Sequence, residues 1–490
     1  MRALQRAIAD PPRVSGVTSE SPMAGLERRS IGFVDVLAQS VGAVAPAAVA
    51  ATMPALVAAQ APRAVLWSLL AAWVLIAGVG VSLSVFTKRL RAPGSLYTFV
   101  TRGLGPSAGL ITAVAQTVGY AFVAMFGLLG AAVVGRNLIA GAGGDVGVTG
   151  STAAGVILGG AVVLLVLRRG IRISARITLV IESVALALIL VLIVVVLVRS
   201  SPAELIEPLR APAPALGALV AGTTIAITGF VGFESGASLG REATRPFLTI
   251  PRTLRWTVIV VGAVYLLAVW VQEVATSSLG VPLAGNDDVA GALARAADAP
   301  GLVVLLDIGL ITSFVACAIA SSTALSRVWF SLGREAVLPG AFGTADPLRG
   351  TPRVALAVVV PMAVIVPLAM VVAGIEPWHA MSILISISAV GYIASYLLLC
   401  AAVTPFLRRL GEVTWPVVTL AIVMTAVLTV ILVAYLIVLA RTQTGALWAV
   451  AVVAVLGAVG YLGLRLTKRS AIESMGRFDE TTSADLLGGS

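Results

Sequence analysis

Four carboxylates, Glu182, Glu234, Glu273 and Asp307, fall inside long apolar runs that carry no Lys or Arg deep within them. A carboxylate with no cation beside it and little water around it favours its neutral form. That behaviour suits proton coupling. Glu234, which follows two glycines in its run, is the leading candidate, and Glu182, in the middle of another run, is the second. The plainer reading is a protonated glutamate that bonds backbone carbonyls. Glu273 and Asp307 lie nearer the ends of their runs and read as structural or vestibule groups. Ser321, Ser322 and Thr323 offer a different coupling chemistry. Sodium is a hard cation satisfied by hydroxyl and carbonyl oxygens, although small hydroxyl residues also serve simply to pack helices closely.

Two segments are built to interrupt a helix. The first reads Gln-Ser-Val-Gly-Ala-Val-Ala-Pro over Gln39–Pro46, the second Ile-Thr-Gly-Phe-Val-Gly-Phe-Glu over Ile227–Glu234. Glycine raises the backbone-entropy cost of a helix, and proline removes a donor and clashes with the carbonyl four residues back. Gly and Pro also permit kinks and tight packing, so neither segment is decisive alone. Their placement is what counts. They fall in the first and sixth of twelve apolar runs, equivalent positions if ten runs form two halves of five. An odd number per half makes the halves inverted repeats, and paired broken helices point to a transporter site. Unwound N–H groups can hold a carboxylate there, and unwound carbonyls an ammonium.

The elements that position these residues follow from hydropathy. The chain has 490 residues, 59% hydrophobic and only 11% charged, whereas soluble domains carry about a quarter charged residues. A helix crosses the hydrocarbon core in about 20 residues. The runs 34–57, 65–86, 108–135, 152–167, 173–198, 216–236, 254–277, 301–325, 354–372, 381–403, 415–439 and 446–464 meet or approach that length. None shows the alternating dyad of a barrel strand. Most of the 33 Lys and Arg residues fall in alternate loops, while the intervening loops hold only Arg63, Arg136, Arg199, Arg210, Arg295 and Arg441. The positive-inside rule then places both termini in the cytoplasm of a plasma (inner) membrane protein. The Arg-dominated basic content points to a GC-rich bacterial source. A net charge of +10 spread through loops is no nucleic-acid stripe.

The residues around the breaks resemble the amino acid–polyamine–organocation superfamily of permeases. Besides the first run, the likeness is carried by Pro93-Gly-Ser-Leu-Tyr97 continuing to Arg102, Gly105 and Pro106. It is carried also by Gly232-Phe-Glu234 followed by Glu242, Pro246 and Ile250-Pro-Arg252. A fourth motif runs from Arg327 through Gly333-Arg-Glu335 to Leu338-Pro339 and Thr351-Pro352. The resemblance covers about residues 30–465. It implies an all-α polytopic fold of twelve transmembrane helices, the LeuT-type five-plus-five inverted repeat with two C-terminal helices. Repeat one is about 34–198, repeat two about 216–403, and the extra helices about 415–464. Carried over by position, Ser40, Val41, Gly42 and Ala43 would meet a substrate carboxylate. Ile227, Thr228 and Gly229 would meet its amino group, with Phe230 as an aromatic lid. Some relatives place a tryptophan gate where Thr228 stands, and proton-coupled relatives a lysine where Ala185 stands; this chain has neither. Gln116 and Tyr120 of span 3 and Ser313 and Cys317 of span 8 are candidate lining. The implied function is import or exchange of an amino acid by alternating access, proton-coupled. The alternatives are a polyamine or other amine substrate recognised by the surplus acids, and sodium coupling; more remotely, the same fold serves channels and nutrient-sensing receptors.

Other classes fit poorly. A major-facilitator transporter divides six-plus-six and carries a signature loop after span 2, where this chain reads Lys88-Arg-Leu-Arg-Ala-Pro-Gly94. The one histidine, His379, is expected in an outside loop, and Cys317 and Cys400 have no metal or disulfide spacing. No enzyme activity and no cofactor are therefore expected; the partners are a small-molecule substrate, the lipid bilayer and H+ or Na+, and no oligomeric state is legible. Residues 1–29 and 468–490 read as flexible cytoplasmic tails flanking one membrane domain, 30–467, and no cleavable signal peptide is visible.

Overall fold

The computed structural model describes residues 30–62, 64–90, 94–141, 143–144, 147–210, 213–286, 288–346, 349–473 and 475–476. The expected tail 1–29, residues 474 and 477–490 of the expected tail 468–490, Arg63 and Pro93 lie outside the described residues.

Among the described residues, twelve helices are long and apolar enough to cross a membrane. They are span 1 (Phe33–Gln60), 2 (Val65–Thr87), 3 (Pro106–Gly141), 4 (Val148–Leu167), 5 (Ile173–Arg199), 6 (Leu216–Leu239), 7 (Pro246–Ser278), 8 (Pro300–Arg334), 9 (Arg353–Val372), 10 (Pro377–Leu410), 11 (Trp415–Thr442) and 12 (Thr444–Thr467). An even number of crossings brings Ile31 and Gly476 to the same side, here called the terminal face. Three short helices join spans: Leu96–Leu104 leads into span 3, Pro202–Arg210 follows span 5, and Val289–Ala296 precedes span 8.

The centre is built around spans 1, 3, 8 and 10. Gly127 lets span 3 approach the backbone of span 8 at Phe314 and Ala318, and Gly391 lets span 10 approach the Ala115 carbonyl of span 3. Dispersion gained at such close contact is what holds helices together where surrounding lipid is as apolar as the side chains. Span 12 is the opposite case: none of its most apolar stretch is buried, so it is a peripheral, lipid-facing helix.

Three expectations need correction. Span 8 does not stop at Leu325 but continues to Arg334, which carries Arg327 inside the helix, only 3% exposed. His379 is not in a loop; it lies in the first turn of span 10, where Glu376 accepts the Trp378 and His379 backbone N–H groups. The segment after Lys468 is not all tail. Arg469–Glu473 is a short helix with Ile472 buried, and Met475 is buried beyond it.

Candidate transport site

Span 1 breaks at Ala45, whose left-handed backbone (φ 51°) ends half-helix 1a (Phe33–Val44), and Pro46 starts half-helix 1b (Pro46–Gln60). Pro suits that first position because the N–H it lacks would have no helical partner. Span 6 breaks in the same manner. Half-helix 6a ends at Ala226, a 3-10 turn covers Ile227–Phe230, and half-helix 6b (Phe233–Leu239) resumes as 3-10 after Gly232.

The two breaks face each other. Gly232 has φ 96°, and a Cβ on it would lie 2.9 Å from the Ala43 carbonyl oxygen, so glycine is required twice over. The Gly236 N–H donates to Ser40 Oγ (3.1 Å), and Ser235 Oγ donates to the Gln39 carbonyl (3.1 Å). These bonds tie half-helix 1a to half-helix 6b on the terminal side of the site. Gly42 sits hard against the Thr178 methyl of span 5, and Gln39 donates from its side chain to the Ala320 carbonyl of span 8 (2.8 Å).

Each break carries a buried carboxylate. Glu182 of span 5 accepts at one oxygen, Oε1, from the Ala47 N–H (3.0 Å) and from Ser313 Oγ (3.1 Å). Ser313 in turn accepts the Ala48 N–H (3.2 Å). The other oxygen, Oε2, is buried without a hydrogen-bond partner. Glu234 of half-helix 6b is fully enclosed and accepts from two hydroxyls, Tyr120 of span 3 at 2.7 Å and Tyr396 of span 10 at 2.5 Å. Tyr392 stacks edge-on to Tyr120 (centroids 5.3 Å apart) and completes a tyrosine cluster around this acid.

The lining residues divide. Tyr265 of span 7, absent from the sequence reading, donates to the Gly229 carbonyl (2.8 Å) and packs edge-on against Phe230. Thr228 turns inward on its own helix, donating to the Ile225 carbonyl (2.7 Å). Ile227 and Phe230 are buried, and Cys317 donates to the Ala43 carbonyl (3.4 Å). Gln116 uses its Oε1 to accept the Tyr97 N–H (2.9 Å), capping the short helix before span 3 instead of lining open space. Val41 is half-buried. Ser321 and Ser322 are buried hydroxyls without hydrogen-bond partners, whereas Thr323 bonds its own helix at the Ile319 carbonyl. Glu273 accepts from the Leu66 N–H at the start of span 2 (3.4 Å), away from the breaks, and Asp307 carries no hydrogen bond to either break.

On the terminal face a buried ion pair closes the bundle. Arg327 of span 8 donates from Nε and Nη2 to the two oxygens of Glu242 at 2.8 Å each. Glu242 follows half-helix 6b, and its carbonyl accepts the Ile31 N–H (3.1 Å), while the Thr244 N–H donates back to the Ile31 carbonyl (3.0 Å). The segment entering span 1 is thus laced to the segment leaving span 6. Beside it the Gly476 N–H donates to Glu335 (2.8 Å), Arg102 donates to the Gly476 carbonyl, and the Tyr97 hydroxyl donates to Glu335 (3.3 Å).

Comparison with known proteins agrees with this architecture. The chain is similar, at 14% identity and a TM-score of 0.54 over 90% of its length and 95% of the other chain, to a solved manganese transporter of Eremococcus coleocola, crystallised with an aromatic bis-isothiourea compound. The similarity is one of fold: twelve helices in the LeuT-type arrangement. Among the described residues no group of three or more His, Cys, Asp or Glu could hold a metal ion. An uncharacterized transporter of Mycobacterium tuberculosis is 30% identical over 117 residues, 24% of each chain. One of Rhizobium meliloti is 38% identical over 69 residues, 14% of this chain and 15% of that one. The chain thus aligns with about a quarter or less of the length of these curated relatives. The profile of the amino acid permease family matches residues 35–469. With that match running from half-helix 1a to the end of span 12, the chain belongs to the amino acid permease family.

Proposed function

We propose that the protein is a secondary transporter that carries an amino acid or a related amine by alternating access, binding it between the breaks at Ala45 and Gly229. The observation that supports this best is the pair of facing mid-membrane breaks in spans 1 and 6. Irregular backbone at that depth is tolerated only where it borders a cavity or is buried in protein. Such breaks bring backbone carbonyls and a helix N-terminus to the place where transporters of this fold bind their cargo. The terminal face is cytoplasmic in this reading and the membrane is the plasma membrane, with loop arginines setting the orientation.

The driving ion is the proton, and Glu234 is its acceptor. Glu234 ties half-helix 6b to spans 3 and 10 through Tyr120 and Tyr396. An ionised carboxylate accepts both hydroxyls; a protonated one must give up part of that acceptance. Proton binding therefore loosens the tie between the broken helices and the spans around them. Sodium remains the second reading, favoured by the buried, unpartnered hydroxyls of Ser321 and Ser322.

The test is uptake of labelled amino acids and amines into proteoliposomes, with pH and sodium gradients imposed separately. A pH-driven uptake whose gradient dependence disappears in Glu234→Gln, with substrate binding retained, supports the proton role. Unchanged pH-driven uptake in that variant sinks it, and sodium-driven uptake in the wild type moves the coupling to Ser321 and Ser322.

A further inference from the structure

The break in span 1 looks like a receptor for an anion, because the first amides of a helix carry partial positive charge and have no helical acceptors. A substrate carboxylate would sit there. In this protein those amides are already taken. Pro46 has no N–H, Ala47 donates to Glu182, Ala48 to Ser313, and Val49 to the Ala45 carbonyl (3.0 Å). At the second break the Gly236 N–H is engaged by Ser40. The amides that open half-helix 1b are thus already met by Glu182 of span 5 and Ser313 of span 8.

The inward counterpart of this arrangement is an excess of acceptors. Glu182 is 2% exposed, its Oε2 has no partner, and among the described residues no Lys or Arg forms an ion pair with it. The carbonyls of Ala43 and Gly229 each take one donor, from Cys317 and Tyr265, and a carbonyl oxygen has a second lone pair. Tyr265 and Cys317 are also the electrostatic neighbours of Glu182, so carboxylate and carbonyls belong to one locality. The walls nearby are apolar: Val49 and Met53 crowd Gly229. Of the two carboxylates at the breaks, only Glu182 has an oxygen without a hydrogen-bond partner, since both oxygens of Glu234 are held by tyrosines.

We infer that the cargo is a small monoamine lacking a carboxylate, whose ammonium is held by Glu182 Oε2. An ammonium offers three donors and a single charge, and Glu182 neutralises that charge while the cargo is bound in the low-dielectric interior. An amino acid would bring a second carboxylate to amides that are already bonded. A diamine would bring a second cation with no free acid to meet it. This inference rests on the proposed site between the breaks.

The experiment uses the full-length protein in proteoliposomes and matched pairs: leucine with isoamylamine, phenylalanine with phenethylamine, ornithine with putrescine. Each is tested as a labelled substrate and as a competitor. The expected result is uptake of the monoamines, at least about tenfold weaker competition by the parent amino acids, and no gain for putrescine over isoamylamine. In Glu182→Gln that elutes as a folded monodisperse species, monoamine affinity should fall by about 100-fold, and Glu182→Asp should restore part of it. If the amino acids are carried and the amines ignored, the inference fails and the proposed function stands. Tighter binding of putrescine overturns the single-charge claim. If no member of any pair is bound or carried, the proposed site fails and the inference falls with it. The wild-type competition decides among these outcomes even if the Glu182 variants do not fold.

Discussion

Replacing Arg327 by methionine removes one half of the two-pronged pair with Glu242 on the terminal face. Both partners are buried, at 3% and 1% side-chain exposure, and the two contacts are 2.8 Å long. Taking away one member of such a pair leaves a charge without water or counter-ion, at a cost of about 3–5 kcal/mol. The pair joins span 8 to the segment after half-helix 6b, so under the alternating-access mechanism proposed above it must part when the terminal face opens. The cost therefore falls on the closed form, and at ~1.4 kcal/mol per tenfold the closed-to-open ratio drops by about 10²–10³. Cys317, at the span 1 break, reports the opening. It and Cys400 are the chain's two cysteines, so Cys400→Ala leaves a single thiol. Maleimide added to the terminal face should label Cys317 about 100-fold faster in Arg327→Met than in the parent. Adding Glu242→Leu removes the orphaned charge and should return the rate most of the way. An unchanged labelling rate in a folded Arg327→Met protein would refute the gate.

Tyr396→Phe deletes the 2.5 Å donor to Glu234; it should cost about 1.5–3 kcal/mol, seen as a lower melting temperature in detergent, and an unshifted transition counts against an ionised Glu234. Ser313→Ala leaves the Ala48 N–H and Glu182 one partner short, a loss of about 1–3 kcal/mol that Ser313→Thr should largely avoid; equal melting curves for both variants contradict this. A Cβ at Gly103 would fall on the Ala402 backbone carbonyl, while one at Gly217 meets nothing within 4 Å. Gly103→Ala should therefore destabilise by about 1–3 kcal/mol and Gly217→Ala should not, as thermal unfolding of the two side by side will tell.

Hydropathy made the spans legible, and Gly and Pro made the breaks legible, because both signals are local: lipid demands apolar length, and a helix fails where a donor or a Cβ is missing. What fills the breaks is not local. Glu182 reaches Ala47 across 135 positions and Tyr120 reaches Glu234 across 114, and nothing in either neighbourhood names the other. Tyr120 and Gln116 read as lining because they sit mid-span with polar tips; the tips are spent on Glu234 and on the Tyr97 backbone. Arg327 read as a loop charge because hydropathy ends at Leu325, yet the helix runs on and Glu242 neutralises it 85 positions away. The helix Arg469–Glu473 read as tail because its composition is polar, yet Ala471, Ile472 and Met475 are buried against the bundle.

That docking bears on the order of biogenesis. Membrane helices enter the bilayer one after another as the ribosome makes them, and Gly476 emerges after all of the twelve spans described. It bonds Arg102, from the approach to span 3, and Glu335, from the end of span 8. The tie between these two early-made segments through Gly476 thus waits until spans 9 to 12 are inserted. A chain stalled within span 12 carries both broken helices and the Arg327–Glu242 pair but lacks this tie.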